Sequence, residues 1–420
     1  MKKTLKFIDL FAGIGGIRKG FELACEKKGY NCECVFTSEI KPYAVEVLSQ
    51  NHPGEVITGD ITLVNEKEIP NFDYLLAGFP CQAFSMAGKR LGFNDTRGTL
   101  FFDVARILKE KEPKGFVLEN VEGLVNHDNG KTFETILNIL DDLNYQVSSR
   151  VLNAKDFGVP QERKRIYIIG SRKNKPDLES FDVTSKTLDS ILEKGLECEH
   201  SEFIDNLLKH YDVEELPGKS IKDKRGGANN IHSWDLEIKG KVSKKQRDLL
   251  NKMMTERRKK QWAAQYGIDW MDGMPLTLEM IKTFYKSTKL EDMLEDLVQK
   301  KYLVKEHPKR KTVEGLRVQD PTLPIGYNIV AGKMSFQVNK VLDPDECAPT
   351  LVAMDMQHLY VVDGNGIRKL SLREGLRLFG YPDDYKFDVN LFDGYDLLGN
   401  TVVVPVISAV SERLLDACEG

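Results

Sequence analysis

The chain has no apolar run long enough to cross a membrane. Its start, Met1-Lys2-Lys3-Thr4-Leu5-Lys6-Phe7, carries charge but no apolar signal core. Cytoplasmic or nucleoid residence without a membrane partner is the expectation. Cysteine is sparse and poorly placed for cross-linking: seven residues, at 25, 32, 34, 81, 198, 347 and 418, odd in number and irregular in spacing. That pattern argues against a disulfide framework. Cys25, Cys32 and Cys34 lie close in sequence, but Cys32 and Cys34 alternate with Glu33 in a strand-like run, and no Cys-x-x-Cys follows. No metal site is expected. Strong charge of one sign is also missing, with 60 Lys and Arg against 64 Asp and Glu and a net charge of −4. Neither internal repeats nor low-complexity tracts are present, which excludes a repeat architecture.

What is present suits a globular protein: 41% hydrophobic and 30% charged residues over 420 positions, enough to build two domains. The near-neutral total hides an uneven distribution. Residues 219–260 hold 14 Lys and Arg against 5 Asp and Glu, and a second basic cluster spans 300–311. Most charge runs are solvated helix faces, but interleaved Trp234, Trp262, Tyr266 and Trp270 favour a polyanion surface.

The first ~170 residues alternate strand and helix patterns. Strands are predicted over 6–10, 34–37, 56–58, 74–77, 116–119, 146–152 and 165–170, and helices over 16–27, 42–51, 100–110 and 131–142. Such alternation implies an α/β fold with a doubly wound, mostly parallel sheet. From about 175 to 345 the chain is charged and less regular, with helical stretches at 188–195, 244–266 and 278–300. Strand-like alternation returns over 335–363, an amphipathic helix follows at 371–379, and the run 401–406 leads into a last helix. The expected organisation is a catalytic domain over 1–180, a smaller inserted domain over 181–370, and a segment over 371–420 that rejoins the first.

Chemistry gathers at the strand ends. The first turn reads Phe11-Ala12-Gly13-Ile14-Gly15-Gly16, where glycines let the backbone approach a ligand at a helix N-terminus. Ser38-Glu39-Ile40 closes the second strand, where a carboxylate can take both hydroxyls of a ribose, and Asp60-Ile61 closes the third. The dinucleotide fingerprint G-x-G-x-x-G is not matched, so S-adenosylmethionine is a better cofactor assignment than NAD. Gly78-Phe79-Pro80-Cys81-Gln82 presents a thiol behind a proline at a strand end, and Glu119-Asn120-Val121 ends the next strand. In a parallel sheet both would open at one edge, placing a nucleophile beside an acid. In Gln161-Glu162-Arg163-Lys164-Arg165, alternation sets Gln161, Arg163 and Arg165 on one face.

These motifs, in this order, together with Arg97-Gly98-Thr99-Leu100 and Gly399-Asn400, resemble the DNA (cytosine-5) methyltransferases of bacterial restriction-modification systems. The resemblance covers 5–172 almost continuously and roughly 335–410; the stretch 180–330 corresponds to the family's variable target-recognition region. It implies a Rossmann-like S-adenosylmethionine-dependent methyltransferase domain acting on duplex DNA, with S-adenosylhomocysteine as product and no metal. It also implies a partner restriction endonuclease for the same site and a monomeric state. The implied catalytic residues are Cys81, Glu119, Arg163 and Arg165. The implied cofactor contacts are Phe11, Gly13, Ile14, Gly16, Glu39, Ile40, Asp60, Ile61, Pro80, Leu100 and Asn400. Implied DNA contacts are Gln82, Ser85, Lys89, Gln161, Thr350 and Leu351.

In the implied mechanism Cys81 adds to C6 of a flipped cytosine, Glu119 binds N3 and the exocyclic amine, and Arg165 holds Glu119 and the base carbonyl. Arg163 supports the catalytic loop or flanking phosphates. Two positions depart from the family's pattern: Thr401 where a small residue is usual, and Ala87 where relatives can carry a loop serine. Rival readings are a tRNA cytosine-5 methyltransferase, whose usual Cys-Phe-Thr stretch is missing here, and a non-catalytic DNA-binding relative, which has no need of a thiol behind a proline.

Overall fold

Short apolar runs that end in turn residues lay down the framework. A computed structural model describes residues 2–80, 100–223, 226–269, 273–312, 315–330, 336–353 and 355–420. The chain divides into two units: Met1–Glu193 with Asp343–Gln357 and Leu370–Gly420, and Lys194–Leu342 with His358–Lys369. Composition sets the boundaries at 180/181 and 370/371 instead. The difference arises because residues just before 194 bond back into the first unit. Leu188 and Asp189 donate their N–H groups to Glu346 and Pro344 carbonyls, and Arg377 Nη1 donates to Ile191 O at 3.2 Å. Backbone pairing of this kind leaves no compositional trace.

The first unit contains strands β1 (Thr4–Leu10), β2 (Asn31–Ser38), β3 (Ile57–Thr58), β4 (Tyr74–Gly78), β5 (Gly115–Val121), β6 (Gln146–Asn153) and β7 (Lys164–Ser171). Between them lie α1 (Gly16–Lys27), α2 (Pro42–Asn51), α3 (Phe101–Lys111) and α4 (Lys131–Asp142). The sheet order is β3-β2-β1-β4-β5-β7-β6. The pairings from β3 through β5 are parallel, so this is the doubly wound α/β architecture that the alternation predicts. Leu75, Leu76, Ala77, Phe116, Val117 and Leu118 are all fully buried, as expected where helices cover both sheet faces. Strand order reverses at β1, which pairs with both β2 and β4, and clefts form at such switch points. β7 alone runs antiparallel to its neighbours. Only residues 154–163 link it to β6, too few for a crossover.

The second unit holds α5 (Glu202–His210), α6 (Lys244–Glu256), α7 (Lys260–Ala264), α8 (Leu278–Phe284) and α9 (Leu290–Gln299). Its strands are β8 (Ser220–Ile221), β9 (Asn230–Ile231), β10 (Leu303–Glu306), β11 (Lys309–Lys311), β12 (Arg317–Gln319), β13 (Gly326–Ile329), β14 (Lys340–Val341), β15 (Leu359–Asp363) and β16 (Gly366–Lys369). The single helices expected at 244–266 and 278–300 are each broken in two. Buried Arg257 bonds Asn328 Oδ1 through Nη1 at 2.9 Å while its carbonyl accepts from Met274, which takes the chain out of the helical ladder. At the second break Ser287 Oγ accepts from Lys289 N before α9 begins. The stretch 188–195 forms only a 3₁₀ turn over Leu188–Ile191. Trp234 and Trp262 are core residues, packed with Leu249 and Leu294, and not part of a polyanion surface. Trp270 lies outside the described residues.

The chain end returns to the first unit as α10 (Leu372–Leu378), α11 (Leu391–Asn400) and α12 (Val404–Glu419). Lys27–Glu412 and Lys28–Asp416 ion pairs join α1 to α12, and Tyr74 Oη donates to Glu419 at 2.8 Å. Close approach of the two helices depends on Gly20: a Cβ there would stand 2.5 Å from Ile407 Cβ and 2.9 Å from Val404 O. Alanine in a helix interior normally gains about 1 kcal/mol over glycine. Gly20→Ala is nevertheless expected to destabilise the protein by about 1–3 kcal/mol through overpacking, read as a lower midpoint in urea.

Candidate active site

The first βα turn is bent by positive φ at Phe11 (56°), Gly13 (55°) and Gly15 (72°), so α1 begins with its free N–H groups facing the sheet edge. Glu39, just past β2, spans this turn and the start of α2. Its Oε2 accepts from Gly13 N at 2.7 Å, and its Oε1 from Ile40 N and Lys41 N, both at 2.8 Å. Asp60 Oδ1 caps the turn after β3, accepting from Thr62 N at 2.9 Å. Above these ends opens a cleft of about 620 Å³, lined by residues that follow β1 to β5, by Arg163 and Arg165, and by Leu397, Gly399 and Asn400.

Parallel register brings Gly78 of β4 level with Glu119 of β5, and Val121 lies opposite Arg165 of β7. Glu119 is 8% exposed, and Arg165 Nε stands 3.2 Å from its Oε1. Burial pushes the Glu119 carboxyl above its ordinary range, against the lowering effect of Arg165 and Arg163. Asn120, which sequence reasoning gave no role, joins the two strand ends: its Nδ2 donates to Phe79 O at 2.8 Å and its Oδ1 accepts from Val121 N. Its motif position offered the only signal for this.

Among the described residues Arg163 forms no ion pair with a carboxylate. Its Nη1 donates to Leu351 O at 2.8 Å, and its Nη2 to Thr401 O at 2.8 Å and Gly399 O at 3.3 Å, with Phe379 stacked at 5.1 Å. Burial lowers its pKa to about 10, so it stays charged near neutrality. Gln161 and Leu351 are fully buried; Gln161 Nε2 donates to Leu378 O at 3.0 Å, and its Oε1 accepts from Leu351 N. Both side chains, expected as DNA contacts, are thus packed inside the unit here. Thr350 is half-buried, its Oγ1 donating to Glu162 O at 2.6 Å. The departure at Thr401 is accommodated by a 2.7 Å hydrogen bond between its Oγ1 and Tyr381 Oη.

Nine of the eleven expected cofactor contacts line the cleft: Phe11, Gly13, Glu39, Ile40, Asp60, Ile61, Pro80, Leu100 and Asn400. Ile14 is 1% exposed and is not among the lining residues. Gly16, the first residue of α1, is not among them either, and a Cβ there would lie 2.5 Å from Tyr381 Oη. Sequence also missed Asp396, whose Oδ2 accepts from Lys41 Nζ and Tyr43 Oη, both at 2.6 Å, while its Oδ1 accepts from Asn400 Nδ2 at 3.2 Å. A gap of 355 positions separates Lys41 from Asp396, and no local pattern links them. Cys81, Gln82, Ser85, Ala87 and Lys89 lie outside the described residues.

The sequence profile of the C-5 cytosine-specific DNA methylases matches residues 5–416. The chain belongs to that family. The methylase is 64% identical to Type II methyltransferase M.NlaIV of Neisseria lactamica, over 98% of this chain and 99% of the relative. It is 63% identical to M.NgoBV of Neisseria gonorrhoeae over 98% and 99%, and 43% identical to M.BanI of Aneurinibacillus aneurinilyticus over 98% and 95%. Among solved structures, a DNMT2 variant of Spodoptera frugiperda (TM-score 0.51, 19% identity, 98% and 99% coverage) shares the fold. EhMeth of Entamoeba histolytica does so too (TM-score 0.52, 16% identity, 99% of both chains). The methylase is thus a DNA cytosine-5 methyltransferase of the type II restriction-modification class, and the family implies use of S-adenosylmethionine. No helix among the described residues is long and apolar enough to cross a membrane.

One buried carboxyl of the methylase lies just before the glycine turn. Asp9 on β1 is 1% exposed, and neither of its oxygens has a hydrogen-bond partner among the described residues. Burial, only partly offset by Arg18, pushes its pKa from 3.8 to about 8. A raised carboxyl pKa means that the folded state resists ionisation, so the cost to stability grows from pH 4 and is complete above pH 8. Asp9→Asn removes that cost. The variant's melting temperature is expected to gain on the wild type from pH 5 to about pH 8 and to hold that lead at higher pH, in a calorimetric series.

Proposed function

We propose that the enzyme transfers a methyl group from S-adenosylmethionine to C5 of a cytosine flipped out of duplex DNA, through a covalent bond between Cys81 and C6. The observation that carries this reading is the buried Glu119–Arg165 pair, 3.2 Å apart, at the strand edge where the neighbouring chain runs Phe79-Pro80-Cys81. An acid held beside a cation, at an edge where the sequence continues into a cysteine, meets the needs of a ring that must gain and then lose a nucleophile.

The lining supports the cofactor. Phe11, Ile40, Ile61 and Pro80 offer apolar faces, while Glu39, Asp60 and Asn400 offer polar ends, a set suited to a nucleoside with an amino-acid tail. Glu39 would take the ribose hydroxyls, and the N–H groups at the start of α1 the carboxylate. When bound, the cofactor supplies an electrophilic methyl group. The chain supplies the rest. Cys81 thiolate bonds to C6 and moves an electron pair to C5, while protonated Glu119 donates to N3 and accepts from the exocyclic amine. Arg165 orients Glu119 and the base carbonyl. Once C5 is methylated, loss of its proton and expulsion of the Cys81 thiolate restore the aromatic ring. Arg163 positions the wall behind the base. Gln82, Ser85, Lys89 and Thr350 would hold the DNA backbone. A monomer in the bacterial cytoplasm, paired with an endonuclease for the same site, completes the reading.

Expression in a bacterium without cytosine methylation, followed by bisulfite sequencing of plasmid DNA, tests it: protected cytosines should fall in one short motif. Cys81→Ala should give full conversion, and protection at wild-type level in that variant overturns the mechanism. Arg165→Met removes a charge that lowers the Glu119 pKa. Its kcat should drop, and the alkaline fall in its pH–rate profile should move to higher pH.

A further inference from the structure

One element of the second unit is not explained by that unit's core. β11 and β12 form a separate two-stranded antiparallel sheet, and none of their residues belongs to the hydrophobic clusters of the described residues. An isolated ribbon of this size has little stability of its own. Its register pairs Lys309 with Gln319, Arg310 with Val318, and Lys311 with Arg317. Because strand side chains alternate between faces, Lys309, Lys311, Arg317 and Gln319 share one face. Arg310 and Val318 occupy the other.

The second face is tethered. Arg310 Nε bonds Asp320 Oδ2 at 2.6 Å, and its Nη2 donates to Tyr266 O at 2.9 Å. The first face carries three cations, one amide and no carboxylate, with Lys311, Arg317 and Gln319 exposed. Gln319 is engaged only loosely, through 3.4 and 3.5 Å contacts to His307 N and Glu306 Oε2. Val318, 50% exposed, lies on the other face with Arg310. Lysines on edge strands can serve simply to discourage strand pairing. That purpose accounts for Lys309 and Lys311, but not for an arginine and a glutamine two residues apart on the same exposed face.

We propose that the β11–β12 ribbon enters the major groove of the target duplex and is a sequence-reading element of this methyltransferase. The major groove, about 12 Å wide, admits a two-stranded ribbon. Arg317 and Gln319, two residues apart on one strand, stand roughly 6.5–7 Å from each other. That spans two base-pair steps of about 3.4 Å, so the pair addresses base pairs two steps apart. An arginine suits the O6 and N7 of guanine, and a glutamine suits the N6 and N7 of adenine. Lys309 and Lys311 take phosphates on the groove wall. The inference rests on the family's action on DNA and is independent of the chemistry proposed for Cys81.

The test uses the full-length protein and two labelled duplexes, one carrying the site found by bisulfite mapping and one scrambled, with affinity read by fluorescence anisotropy across a salt series. Melting temperature and S-adenosylhomocysteine binding check that each variant is folded. Arg317→Ala and Gln319→Ala should weaken binding to the site duplex by about ten-fold or more, leave the scrambled duplex within about two-fold, and relax the methylated motif at one position each. Lys309→Ala and Lys311→Ala should weaken both duplexes alike and reduce the salt slope by about one unit each. Folded Arg317→Ala and Gln319→Ala proteins that keep the wild-type motif and affinity overturn the proposal, as does an equal loss on both duplexes.

Discussion

The cleft depends on one buried guanidinium that gathers chain segments remote in sequence. Arg163 donates to the carbonyls of Leu351, Gly399 and Thr401, spanning 188 to 238 positions. A buried cation is costly unless its donors are engaged, and here backbone carbonyls engage both Nη groups without adding a carboxylate, while Nε has no partner among the described residues. That choice leaves Glu119 as the buried acid facing Arg165, whose Nε lies beside the carboxyl while its Nη1 donates to the Lys164 carbonyl. Lysine could not replace Arg163, because its compact ammonium lacks the planar fork that reaches several carbonyls at once.

Backbone packing makes the same junction tight. A Cβ on Gly399 would run into the Ala353 backbone, and one on Gly16 into Tyr381 and Val402. The returning C-terminal segment therefore presses against the first βα turn and against the strand ends together. The Asp396 carboxylate, held by Lys41, Tyr43 and Asn400, continues this closure along the rim. The walls of the cleft are thus set by bonds between segments drawn from both ends of the chain.

The two units carry different burdens. In the first, parallel register fixes which side chains stand side by side, and little can vary without moving Glu119 relative to Gly78. The second has hydrophobic clusters of its own, one around Trp234 and Leu249 and one around Ile204 and Tyr360. A separate core lets surface elements such as the β11–β12 ribbon change while the reaction site stays intact.

Sequence alone determined the order of strands and helices in the first unit, because buried parallel strands read as short apolar runs and the helices between them as amphipathic periods. It also marked Glu39, Asp60, Pro80 and Glu119, which sit at strand ends where local pattern and position coincide. Tertiary structure decided the rest. Alternation put Gln161, Arg163 and Arg165 on one face, but only packing turned Gln161 and Arg163 towards backbone carbonyls and left Arg165 for Glu119. The tryptophans of the basic region looked like a binding surface until burial made them core. Helix breaks at Arg257 and the pairing of Lys41 with Asp396 depend on partners dozens to hundreds of residues away. Periodicity records which face a residue occupies; the partner waiting on that face is supplied by chain segments that no local pattern can name.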